Sequence, residues 1–342
     1  MYNNSSVDDG DKSAEMKSGY DLPVYGLANG IFYYIHIPAL ICIFSSLCCV
    51  IIVLTLSFRH RSYRTFFSWT KSERFIVYLA ICDGGFNIFH SVDHLHYVIV
   101  KDHVHPKELC EFYAFTLTEF ITAQNLMVNI VAINAFMLMY FHKNLNFGKR
   151  DWKLLTWTFG VPFVGATAAA ISGQFGPSGS FCHFDVVKGG TAYIFFTTVP
   201  LLIIIAMNSV MYVLTWKRIR QETSSLCETY KSVHMINKSK RAAKTMTMFV
   251  VAFFIQWFSL AVFGVWVLID PNVPQAMIHI VTIFSNIGGC LNLCVYIIMR
   301  RRSRAEKHED RKEKIIDSNE LKSKSSDSGH VTKSTELSQS NV

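Results

Sequence analysis

Apolar residues in this chain gather in long runs instead of recurring at every third or fourth position. Seven such runs stand between shorter polar segments: Phe32 to Leu56, Phe75 to Val98, Leu109 to Phe141, Leu154 to Ile171, Ala192 to Trp216, Thr245 to Ile269 and Met277 to Met299. A helix that crosses a bilayer needs roughly 20 predominantly apolar residues, so the pattern predicts an all-α membrane protein, a bundle of seven transmembrane helices. Core helices of a soluble enzyme would instead carry an apolar stripe and a polar face. Runs such as Ala39 to Leu56 and Val199 to Met207 have no polar face. Strands of a membrane barrel would alternate weakly over shorter segments, and no such alternation is visible. The second run is the least regular, because Asp83, Asn87, His90, Asp93 and His94 interrupt it.

Composition agrees with that division, with 51% hydrophobic and only 17% charged residues among 342. Charge then assigns sides, since short cytoplasmic loops collect Lys and Arg. Arg59, Arg61, Arg64, Lys71 and Arg74 follow the first run. A loop after the fifth carries Lys217, Arg218, Arg220, Lys231, Lys238, Lys240, Arg241 and Lys244, and Arg300, Arg301, Arg302 and Arg304 follow the seventh. The N-terminal segment is acidic on balance, with Asp8, Asp9, Asp11, Glu15 and Asp21 against Lys12 and Lys17. The expectation is an N-terminus outside and a C-terminus inside, which requires an odd number of spans. Topology accounts for the net charge of +8, so no nucleic-acid partner is implied. The chain divides into an extracellular segment 1–30, a membrane domain 31–300 and a polar cytoplasmic tail 301–342. The first thirty residues lack a basic start followed by an apolar stretch, so the first helix is expected to direct its own insertion.

Asn3 and Asn4 each begin an N-glycosylation acceptor pattern, of use only on the outer side. Of nine cysteines only Cys110 and Cys182 fall on that side, where a disulfide persists, and they are expected to pair. Cys42, Cys48, Cys49, Cys82, Cys290 and Cys294 lie within helices as small apolar filler, and Cys227 is cytoplasmic.

Ionisable groups inside a membrane are expensive, so each marks a candidate site. Asp83 stands out first. His90, Asp93 and His94 then share a helical face near the outer surface, with His96 beyond them, and such a group suits interfacial packing, proton sensing or zinc. The zinc version gives an alternative function, a seven-helix metal-dependent hydrolase. It would want further ligands deep in other helices, where Glu119 is the one obvious carboxylate beyond the second run, and no bound metal is expected. A transporter would show paired broken helices in two matching halves, which are not seen.

Several short motifs, in order, resemble those of rhodopsin-like G-protein-coupled receptors. Leu79-Ala80-Ile81-Cys82-Asp83 resembles the second-helix LAxxD, Pro200 the fifth-helix proline, and Phe253 with Trp257 the sixth-helix FxxxW. Cys290-Leu291-Asn292-Leu293-Cys294-Val295-Tyr296 resembles the seventh-helix CLNPxxY, and the likeness runs over about residues 32–304. Phe175-Gly176-Pro177-Ser178-Gly179-Ser180-Phe181-Cys182 is similar to the outer-loop pattern of the cyclic-AMP-receptor-like group. The resemblance implies a plasma-membrane receptor without enzymatic activity or cofactor, which binds an extracellular ligand and signals to a heterotrimeric G protein. It implies a polar network of Asp83, Gln124, Asn125 and Asn292, with Asn129 extending it. It implies a pocket lined by Leu117, Thr118, Ile121, Trp257, Phe258, Thr282 and Asn286, and an activation switch of Phe253, Trp257, Pro200, Tyr296 and Asn134.

The departures are informative. Where the DRY signature would begin stands Asn134-Ala135-Phe136, so its arginine is missing; Ser259 and Leu293 replace two helix prolines, and Ser46 the first-helix asparagine. Leu117 stands where amine receptors keep an aspartate and Asn286 where opsins keep the retinal lysine, which removes an ammonium partner and a Schiff base. G-protein contact would then fall to Lys217, Arg218, Arg220, Lys240, Arg241 and Lys244. The serines and threonines of the tail suit phosphorylation and arrestin, and Ser340-Asn341-Val342 suits a PDZ domain.

Overall fold

The structure is a computed structural model that describes residues 17–59, 62–224, 230–270, 273–302 and 304–305. Six helices are long and apolar enough to cross a membrane: α1 (Phe32–Phe58), α2 (Lys71–Val100), α3 (Lys107–Tyr140), α4 (Lys149–Ile171), α5 (Gly190–Gln221) and α6, whose apolar part is Ala243–Ile269. A bent pair, Gln275–Asn286 and Gly288–Arg302, makes α7. The architecture is a mostly helical bundle of the multi-pass membrane kind.

Outward faces are apolar, with Ile51, Val164, Phe195 and Val210 all more than half exposed. In water such surface would drive association; in lipid it is the solvated face. The polar side chains that interrupt the second run turn inward instead, for Asp83, Asn87, His90, Asp93 and His94 are all buried. Accordingly α2 and α3 are the central helices, their most apolar stretches 72% and 67% buried against 28% for α1 and α4 and 22% for α5.

α2 opens on a capping box, Thr70 and Glu73 each satisfying the other's backbone N–H. Two helices carry a π turn immediately before a proline: Thr156–Gly160 ahead of Pro162, and Ile194–Thr198 ahead of Pro200. Proline has no N–H and its ring crowds the carbonyl four residues back, so a wider turn relieves both effects. α7 bends by 43° at Ile287, where Gly288 and Gly289 follow. A Cβ on Gly288 would collide with Asp83 Oδ1, so only glycine lets this backbone approach the carboxylate. The basic stretch between the fifth and sixth runs reads as a loop in the sequence. Helix instead continues to Ser224 and resumes at Tyr230, because straight-chain Lys, Arg, Gln and Met favour it.

Between α4 and α5 the chain forms a hairpin, β1 (Phe175–Pro177) antiparallel to β2 (Cys182–Phe184), with Pro177 opposite Cys182. Gly179 takes φ +112° in its turn, and Ser178 N and Oγ both donate to Phe181 O. A disulfide joins Cys182 to Cys110 near the start of α3, with a Cα–Cα distance of 5.3 Å. Residues 17–30 fold over the same end of the bundle. Asp185 holds them through Gly19 N (3.0 Å) and Ser18 Oγ (3.1 Å), while Tyr25 N donates to Gly179 O at 3.0 Å.

Candidate functional site

Beneath the hairpin lies a cavity of about 310 Å³, lined by side chains of α2, α3, α5, α6 and α7. Leu117 and Ile121, one helical turn apart on α3, form one wall; Trp257, Leu260 and Phe263 of α6 face them, and Phe86 lies edge-on to Trp257 with ring centroids 6.2 Å apart. Phe181, His183 and Tyr25 close the hairpin end. Of the residues expected to line a pocket, Leu117, Ile121, Trp257 and Thr282 do so. Phe258 does not: it is 59% exposed on the outer face, since one residue beyond Trp257 turns about 100° around the helix. Thr118 and Asn286 are buried but lie off the lining. Phe253 is buried one turn from Trp257, also off the lining, and the half-buried Pro200 acts on the cavity through the π turn that brings Ile194 and Thr197 to it.

The histidines form a chain. Asn286 Nδ2 donates to Thr282 O at 2.7 Å, which turns its Oδ1 toward His90 Nδ1 at 3.0 Å. A carbonyl oxygen only accepts, so His90 holds its proton on Nδ1 and accepts at Nε2 from His94 Nε2, 2.9 Å away. His94 Nδ1 in turn accepts from His36 Nδ1 at 2.7 Å. One proton per ring satisfies every contact, and α1, α2 and α7 are tied together. Asp93 does not share this grouping, although it lies on the same helix: its Oδ2 accepts from Cys182 N at 2.8 Å and so clamps the hairpin to α2. His96 is half-buried and outside the chain. These imidazoles direct their nitrogens at one another and leave no common apex for a cation. Among the described residues no group of three or more His, Cys, Asp or Glu is placed to hold a metal ion. Sequence reasoning missed His36, although a histidine in an otherwise apolar run was signal enough.

About two turns deeper, seven residues before His90 on α2, Asp83 is the centre of a second network. Gln124 Nε2 donates to Asp83 Oδ1 and to Gln256 Oε1, each at 2.9 Å, and Asn292 Nδ2 donates to Asp83 Oδ2. Gln256 Nε2 continues to Ser285 O at 3.1 Å. Asn87 reaches Ser46 Oγ at 3.2 Å, and that oxygen accepts from Gly289 N at 2.9 Å. Asn125 is not part of this, because the residue after Gln124 points elsewhere and its Oδ1 is buried without a partner. Asn129 pairs with Asn208 of α5 instead, at 3.0 Å. Gln256, which joins α3 to α7 through Gln124 and Ser285, was overlooked beside its aromatic neighbour Trp257.

At the opposite end, Asn134 Oδ1 accepts from Leu145 N at 3.1 Å and its Nδ2 meets Met246 Sδ at 3.2 Å. Arg74 Nε and Nη2 donate to Asp151 at 2.6 and 3.0 Å, Arg74 also reaches Trp69 O, and Tyr78 donates to Asp151 Oδ2 at 3.0 Å. Lys71 donates to Leu145 O. Lys217, Arg220 and Lys244 are exposed and Arg218 half-buried, with Arg220 over the Trp216 ring at 5.3 Å. Tyr296 OH accepts from Arg300 Nε at 2.9 Å. The side chains of Lys240 and Arg241, together with Asn3, Asn4, the tail serines and threonines and residues 340–342, lie outside the described residues. No protein-family model matches the chain, and no curated protein is significantly similar to it in sequence.

Proposed function

We propose that the chain is a seven-helix receptor of the plasma membrane, with its N-terminus outside. It takes a ligand in the cavity beneath the hairpin and signals to a heterotrimeric G protein at the opposite end. One observation carries the reading: the cavity and the buried network are contiguous. Trp257 and Ser285 line the cavity, Gln256 is adjacent to Trp257 and donates to Ser285 O, and from Gln256 the hydrogen bonds run through Gln124 to Asp83 and Asn292. A ligand that moves the floor therefore moves groups shared by α2, α3, α6 and α7, and packed polar networks favour discrete arrangements over gradual ones.

The missing DRY arginine does not oppose coupling on this reading. Asn134 stands where that signature would begin and joins α3 to Leu145 and to Met246 of α6, so an uncharged latch takes the place of an ionic one. Lys217, Arg220 and Lys244 supply basic surface beside it. The metal-hydrolase alternative is disfavoured by the histidine chain, in which both ring nitrogens of His90 and of His94 are already engaged.

The test is expression in cells that lack endogenous Gα subunits, with subtypes restored singly and basal and extract-stimulated output recorded. At least one subtype should restore output, and Asn134→Ala should raise its basal level. Silence with every subtype, for protein shown to be at the surface, sinks the proposal.

A further inference from the structure

The cavity has no free charge. Its described lining includes no lysine, arginine or glutamate, and Asp185, its one carboxylate, is occupied elsewhere. Oδ1 accepts from Val187 N at 2.9 Å and Lys188 N at 3.2 Å, Oδ2 from Ser18 Oγ at 3.1 Å, and both from Gly19 N at 3.0 Å. His90 and His94 have both ring nitrogens engaged in the chain to Asn286. The rest of the wall is largely aliphatic and aromatic, with Phe86, Leu117, Phe181 and Leu260 prominent. Two lining side chains differ, because His183 Nε2 and Trp257 Nε1 are buried without a hydrogen-bond partner.

From these placements we infer that the cavity takes an uncharged, mostly apolar small molecule bearing a hydrogen-bonding oxygen or nitrogen that meets His183 Nε2 or the Trp257 indole N–H. An ammonium would leave water for a space with no free carboxylate, and a carboxylate or phosphate would find no cation; either is a buried, unpaired charge. A pure hydrocarbon would leave both nitrogens unsatisfied, whereas the polar group satisfies the one it meets. Burial, with His90 nearby, lowers the His183 imidazole to about 3, so it offers no positive charge to an anion at neutral pH. The size suits a compact ligand, since about 300 Å³ is the lower end of the range for small-molecule sites.

This inference rests on the cavity being the ligand site, and the experiment separates the two. The full chain in lipid nanodiscs is titrated with matched sets on several skeletons, for example 4-phenylbutan-1-ol, 4-phenylbutanoate, 4-phenylbutylamine and n-butylbenzene, with saturable binding followed by ligand-observed NMR. Leu117→Trp and Ile121→Trp, two independent fillings of one wall, separate cavity binding from partition into lipid. The alcohol should bind at least about ten-fold tighter than the carboxylate, the ammonium and the hydrocarbon, and lose that binding in both filled variants. A charged member or the hydrocarbon binding as tightly, with the same loss in the filled variants, overturns the ligand class and leaves the site standing. If no set shows saturable binding that the filled variants remove, the class and the site fall together.

Discussion

Gln256 links α3 to α7 through its amide, and that makes its replacement informative. Gln124 Nε2 donates to Gln256 Oε1 and to Asp83 Oδ1, and Gln256 Nε2 donates to Ser285 O. Gln256→Leu removes both bonds of a buried group and leaves a carbonyl unpaired, which should cost about 1–3 kcal/mol, read as a lower melting temperature. Because Gln256 and Asp83 share Gln124, combining it with Asp83→Asn should depart from additivity by roughly 0.5–3 kcal/mol; strict additivity would mean that the network is not coupled. His183 makes a separate prediction. Its pKa falls from 6.5 to about 3, mainly through burial, so between those values the unfolded chain binds a proton that the folded chain refuses. The stability it contributes is therefore full above about pH 6.5 and lost as pH falls toward 3. Melting temperatures of the wild type should drop more steeply from pH 7 to pH 4.5 than those of His183→Phe, and parallel curves would contradict this.

At the scale of elements, legibility followed chemistry. Helices were readable because a bilayer imposes a length and an apolar run, and the disulfide because only Cys110 and Cys182 fell on one side. Partnerships between helices were not, because a run of apolar residues carries no record of its neighbours. Asp83 and Asn292 were expected to meet and their side chains do touch, but Asn125 and Phe258 were misplaced by one residue of helical rotation. Loop acids were hardest of all. Asp151 and Asp185 look like ordinary surface carboxylates, yet each is buried and holds a segment in place, Asp151 through Arg74 and Tyr78. Removing one partner of such a pair strands the other charge, so Asp151→Ala should cost about 3–5 kcal/mol, whereas replacing Arg74 and Asp151 together with apolar residues of similar volume should cost less. Thermal denaturation of the single and double variants decides between this and a pair that contributes only surface attraction. Pro200 is a second element-scale case. Pro200→Ala permits an ordinary α-helical bond to Phe196 O, tightens the π turn and shifts Ile194 and Thr197 at the cavity. Protein stability should hold or rise while the alcohol probe binds about ten-fold more weakly, and unchanged binding would show that the turn does not shape the site.

For the whole molecule, the question that organises everything else is which end faces out. The hairpin end carries the disulfide, the acidic Asp185 and Asp93 as structural acceptors, and the folded segment 17–30, whereas the other end carries Lys217, Arg218, Arg220 and Lys244. Basic residues are retained on the cytoplasmic side and disulfides form on the other, so two unrelated mechanisms favour the orientation proposed above, with the hairpin end outside. An odd number of crossings then follows only if the bent α7 is one span, because its two pieces, Gln275–Asn286 and Gly288–Arg302, are each too short to cross alone. Asn3 and Asn4 give a direct reading of the N-terminus, since glycans are added only to lumenal acceptors. Endoglycosidase should increase the gel mobility of the expressed chain, and Asn3→Gln with Asn4→Gln should abolish that shift. An epitope placed after Val342 should become accessible to antibody only once cells are permeabilised. An accessible tail on intact cells together with an unglycosylated N-terminus would invert the molecule, put the cavity on the cytoplasmic side and remove the basis for an extracellular ligand. An accessible tail with a glycosylated N-terminus would instead mean an even number of spans, with α7 re-entrant at its 43° bend.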